Sequence, residues 1–91
     1  MEKSSKAWTL YIILTQKGRY YTGISTDIKR RFEEHKSGKG AKFFRSDSPQ
    51  RIVYTEVCKD HSDALKRENA IKKMKAYEKK IFLKEIKNKK P

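Results

Sequence analysis

Two tyrosines, Tyr11 and Tyr21, stand in two neighbouring extended runs of the chain. Arg31 and His35 follow four residues apart, and a glutamate, Glu68, sits in a later helical stretch. Phenol, guanidinium, imidazole and carboxylate together span the chemical range of an active site, provided that a fold brings them together. Each also has an ordinary reading. The tyrosines can form a cross-strand aromatic pair. Arg31 can lie over a sheet with its head in water. Glu68 can be a buried ion partner, a metal ligand, or an exposed residue on a helix of different phase.

The elements that must position them are legible as a pattern. "WTLYIIL" (Trp8–Leu14) is β-branched and aromatic, which suits a well-buried strand. "TQKGR" supplies a turn around Lys17–Gly18, and "YYTG" resumes extended structure, so the two runs form an antiparallel hairpin with Tyr11 and Tyr21 close to opposite. Ser25, Thr26 and Asp27 all suit a helix N-cap, and the helix runs to about Lys36 before "SGKG" stops it. Residues 37–50 read as a basic loop, and "RIVYTEV" (Arg51–Val57) as a third strand. A helix capped by Ser62 follows, then a last one carrying Ile81, Phe82 and Ile86. The expected fold is α+β: a small three-stranded antiparallel sheet flanked by helices in the order β-β-α-β-α-α. One domain is expected, with a core at about 8–86 and flexible tails at 1–7 and 87–91.

Helical geometry turns the polar groups inward. At about 100° per residue, Arg31 and His35 flank the stripe made by Ile28 and Phe32, while Lys29, Arg30, Glu33 and Glu34 face solvent. On the second helix, with Leu65 set at 0°, Ile71 lies at about 240°, Ala64 at about 260° and Glu68 at about 300°, so a carboxylate lies inside the apolar arc. An ionised carboxylate there is costly unless it has a partner.

Composition narrows the class. With 24 Lys+Arg against 11 Asp+Glu the net charge is +13, which favours a polyanionic partner through counterion release, although a generally lysine-rich protein has the same balance. One cysteine, Cys58, excludes an internal disulfide, and with His35 and His61 it falls short of a structural zinc set. The start has no apolar signal core and no run suits a bilayer span, so a reducing, cytoplasmic setting away from membranes is expected.

"TLYIILTQKGRYYTGISTDIKRRFEEH", followed by "GKGAK" and "ALKRE", resembles the GIY-YIG nuclease superfamily over about Trp8 to Phe82. Thr9-Leu10-Tyr11 stands for the first triplet and Tyr21-Thr22-Gly23 for the second. Thr9 and Thr22 depart from the family pattern, whose functional atoms belong to the tyrosines and the second glycine. The likeness is strongest to small stand-alone members, related to the nuclease domains of junction and flap endonucleases. It implies hydrolysis of a phosphodiester at one divalent ion, Mg2+ or Mn2+, with Glu68 as its ligand. Tyr11 would be the general base, Arg31 the phosphate clamp, Tyr21 a positioning hydroxyl and His35 an assisting group at the rim. For the base role the phenol's pKa must fall, and Arg31, the ion, Lys17 or Arg19 are the candidates to lower it.

The resemblance implies a DNA substrate, branched, flapped or single-stranded, in repair or recombination. RNA lies within the same chemistry, and specificity can come from a protein partner. Lys17, Arg19, Lys39, Lys42, Arg45, Lys72 and Lys73 are the expected backbone-phosphate contacts. Two rivals stand beside the nuclease: a non-catalytic nucleic-acid-binding module that keeps the fold, and a lysine-rich RNA-associated protein.

Overall fold

The computed structural model describes residues 7–89, so the expected tails lie largely outside the described residues. Its elements are β1 (Thr9–Thr15), β2 (Tyr20–Ser25), α1 (Ile28–Lys36), a 3-10 turn (Lys42–Arg45), β3 (Pro49–Val57), α2 (His61–Lys72) and α3 (Ala76–Lys89). The strands pair antiparallel in the order β2-β1-β3, so the first strand in sequence is the middle one in space. This is the expected α+β order.

A middle strand covered on both faces explains the unbroken apolar run of β1, because successive side chains point to opposite sides. Leu10 and Ile12 face α2 and α3 and pack with Ala64, Ile71 and Cys58. Tyr11 and Ile13 face α1 and the 3-10 turn and pack with Phe44, Phe32 and Ile28. Tyr20 and Tyr21 divide in the same way, one to each cluster. Burying such side chains contributes about 1.5–3 kcal/mol each, so both covers are held by the same strand.

Local signals set the joins. Gly18 takes φ 86° in the hairpin turn, a conformation open to glycine. Asp27 caps α1 by accepting from Arg30 N at 3.2 Å. The cap of α2 is Asp60, which accepts from Asp63 N at 2.8 Å, rather than the expected Ser62; the carboxylate precedes the helix, and Ser62 is already inside it. Lys75 N donates to Glu78 Oε1 at 2.7 Å where α3 starts. The stretch 37–50 is more than a loop. Its 3-10 turn drives Phe44 into the core, because this face of the sheet needs an apolar cover beyond α1.

Candidate active site

Tyr11 hangs from the middle of β1 with its cross-strand partner being Gly23, while Tyr21 pairs with Ile13. The two tyrosines are therefore diagonal neighbours rather than opposite, with ring centroids 6.4 Å apart. The shift follows from the length of the turn, which lies between Thr15 and Tyr20. The partnership with Gly23 matters sterically. A Cβ at that position would sit 2.5 Å from the Tyr11 oxygen and 2.7 Å from its Cζ. The bare glycine lets the phenol lie across β2 toward its open edge.

Its oxygen there meets His35. Tyr11 Oη and His35 Nε2 are 3.0 Å apart, and the two side chains are 2 % and 1 % exposed. The other imidazole nitrogen, Nδ1, accepts from the Ala41 backbone N–H at 3.1 Å. Burial, aided by the Arg31 charge, pushes the His35 pKa down to about 4, so the ring is neutral at neutral pH. A neutral ring that accepts at Nδ1 carries its proton on Nε2. His35 therefore donates to Tyr11, and the phenol's own proton points elsewhere. Gly40 lies directly against the imidazole, where any Cβ would collide with Nδ1. Phe44 and Tyr21 wall the ring at centroid distances of 4.5 and 5.3 Å.

Burial pushes the Tyr11 phenol up to about 12, and Tyr21 and Glu68 add to the rise. Arg31 opposes it, as expected, but is outweighed. Lys17 and Arg19 have no part in the balance. Arg31 itself is anchored by Glu34, Nη1 to Oε1 at 2.9 Å, and remains partly exposed at the rim.

Glu68 is only 15 % exposed and pairs with Lys72 Nζ at 2.9 Å one turn on. The expected apolar arc of its helix is buried at Ala64 and Ile71, the inner face of α2, but not at Leu65, which is 41 % exposed. Glu68 shares that face, and its charge reaches Tyr11. Among the described residues no three His, Cys, Asp or Glu side chains gather as a ligand set. A small hard cation does not need one. Mg2+ is commonly held through one or two carboxylates, with water and substrate phosphate completing its shell. A shielded carboxylate within electrostatic reach of a phenol oxygen fits that demand.

The expected phosphate contacts divide. Lys17, Lys39, Lys42, Arg45 and Lys73 are exposed. Lys72 is committed to Glu68. Arg19 Nε bonds Asp47 Oδ2 at 2.9 Å, and its guanidinium lies 4.4 Å over the Phe43 ring. The aromatic walls Phe43 and Phe44, the glycine Gly40 and the anchors Glu34 and Asp47 were not anticipated. Two phenylalanines inside an otherwise polar, basic segment were the available signal.

The family model described as GIY-YIG catalytic domain matches residues 7–81. A UPF0213 protein of Pseudomonas aeruginosa is 49 % identical over 67 residues, covering 74 % of this chain and 64 % of that protein. The chain thus spans a little under two thirds of that relative's length. A UPF0213 protein of Desulfotalea psychrophila is 45 % identical over 84 residues, 91 % of this chain and 76 % of the other. Among solved structures, the NMR structure of a protein from E. faecalis has a TM-score of 0.65 at 33 % identity, covering 96 % and 93 % of the two chains. That of a UPF0213 protein from Bacillus halodurans gives 0.55 at 34 %, covering 85 % and 82 %.

Proposed function

The chain belongs to the GIY-YIG catalytic domain family, a nuclease superfamily, and from that premise we propose that it is a metal-dependent endonuclease acting on DNA by structure rather than sequence. The observation that carries this reading is the Tyr11–His35 pair: a buried phenol held by a neutral imidazole, with Arg31 and Glu68 acting on the same oxygen. A structural core tyrosine has no need of that company.

Tyr11, once it has given its own proton to solvent, takes the proton of the attacking water as the phenolate. His35 Nε2–H donates to the phenolate, fixing its orientation and stabilising its charge. Arg31 clamps the scissile phosphate, a bidentate task that lysine performs poorly, and Glu34 holds the guanidinium ready. Tyr21 orients the phosphate through its hydroxyl. Glu68 would hold the divalent cation, Mg2+ or Mn2+, in place of its present partner Lys72. When bound, such an ion would supply Lewis-acid stabilisation of the phosphate and positive charge near the phenol. The exposed Lys39, Lys42 and Arg45 contact backbone phosphates without reading bases. A cytoplasmic setting follows from the substrate.

The test is cleavage of branched, flap and single-stranded DNA with Mg2+ or Mn2+. Wild type should cut, and Glu68→Gln and Tyr11→Phe should fall by at least about a thousandfold while still binding. If wild type cuts no better than either variant, the nuclease reading fails. A salt-sensitive binding module is then what remains.

A further inference from the structure

A second cleft, of about 310 Å³, lies beside the site at the β1–β2 turn and the start of α3. Its walls are Tyr20 and Phe43 on opposite faces of the sheet, with Arg19, Lys79 and Lys80 around them. β2 is an edge strand, so the cleft wraps an open edge. Phe43 belongs to both places: its ring is 5.4 Å from that of Tyr21 and also lines the cleft.

We propose that this cleft is a subsite for one unpaired nucleotide of the bound strand, its base stacked on the Phe43–Arg19 platform and its phosphate held by Lys79 and Lys80. The proposal rests on the reading of the protein as one that acts on nucleic acid, and it gives that reading a substrate class. The platform is pre-set. Asp47 is buried, accepts from Lys17 N at 3.0 Å and from Arg19 Nε, and so holds the guanidinium over Phe43. Aromatic rings and guanidinium planes are the surfaces on which splayed bases stack. Three cations line the cleft and no carboxylate does, which suits a phosphodiester and repels an acidic peptide. Lys79 is already partly desolvated, which lowers its pKa, and its neighbour Lys72 adds to that lowering; an incoming anion relieves both effects. The size selects a single nucleotide, since a base inside a duplex has both faces covered by its neighbours. A strand end, flap or gap supplies the exposed base that a continuous duplex lacks.

Flap DNA carrying 2-aminopurine at successive unpaired positions, bound in EDTA so that nothing is cut, tests this. One position should change fluorescence strongly on binding, and Phe43→Leu should abolish that signal. Lys79→Ala with Lys80→Ala should weaken binding of the flap and of a single strand about tenfold or more, leaving the paired duplex within about twofold. These lysines, half-buried Lys79 and exposed Lys80, keep the test valid if Phe43→Leu misfolds. Equal signals at every position, or equal losses for duplex and flap, overturn the subsite. Absence of cleavage with the position-specific signal intact would sink the nuclease reading and leave the subsite standing. Cleavage without that signal would do the reverse.

Discussion

The phenol of Tyr11 lies across Gly23, its partner on the adjacent strand, so closely that a single methyl group there would meet the oxygen at 2.5 Å. Gly23→Ala should push the ring off His35 with the sheet still formed. Overpacking of this kind costs about 1–3 kcal/mol, and a displacement near 1 Å at a reacting group costs about a hundredfold in rate. Denaturant titration and single-turnover cleavage measure the two losses separately, and the rate should suffer far more.

Acid should weaken the fold through His35. Its pKa is held near 4 against an ordinary 6.5, so between these values the unfolded chain takes up the proton and the folded one does not. The stability is complete above 6.5 and drains as pH falls toward 4, by something on the order of 3 kcal/mol. Urea titrations at pH 7, 5.5 and 4.5 should record the drop. His35→Phe should flatten it, whereas His61→Gln should leave it in place.

Cleavage should accelerate in alkali. A phenol pushed up to about 12 is almost wholly protonated at pH 7, so the fraction able to accept a proton grows as pH rises. Between pH 7 and 9 the single-turnover rate should approach a tenfold gain per unit. Residual activity of Tyr11→Phe should show no such slope; a flat wild-type profile would remove Tyr11 from the role of base.

Lys72 competes for the carboxylate that a cation needs, sitting 2.9 Å from Glu68 Oε2. Lys72→Met should therefore lower the Mg2+ concentration at half-maximal activity, by roughly two- to tenfold given the modest strength of such pairs. Glu68→Gln should abolish the metal dependence along with the activity. Titration of the rate against Mg2+ reads both.

Thr22 carries the only buried side-chain oxygen without a hydrogen-bond partner among the described residues. It pairs with Ile12 and so faces α2, away from the Tyr11 phenol. Thr22→Val keeps the shape and removes an unsatisfied hydroxyl, so stability should rise by about 1 kcal/mol with cleavage unchanged. A loss of stability would mean that the hydroxyl has a partner after all.

The strands were readable from their apolar and alternating runs, that of β1 unbroken because it is buried on both faces; its middle place in the sheet was not. The inward turn of Arg31 and His35 was readable from helical spacing. The register of the hairpin was not, since it depends on where the turn closes, and a shift of two residues moved the partner of Tyr11 from Tyr21 to Gly23. The side of α2 that carries Glu68 was readable from its spacing with Ala64 and Ile71. Leu65 looked like core, but which face of α2 is buried is decided by β1 and β2, far away in sequence. The role of Phe43 and Phe44 was hidden for the same reason: only contact with Tyr21 and His35 reveals it.

The middle strand of the sheet precedes both its neighbours in the chain, so the sheet and the proposed site are completed late. β1 gains its second neighbour only when Pro49–Val57 has been made, and the carboxylate on α2 arrives later still. Such distant pairings form slowly and late. A nascent or truncated chain that stops before residue 68 has its tyrosines, arginine and histidine but no carboxylate for the cation and no complete sheet to hold them. On the proposed reading, a chain stopped short of Glu68 would lack the carboxylate for the cation and could not cut.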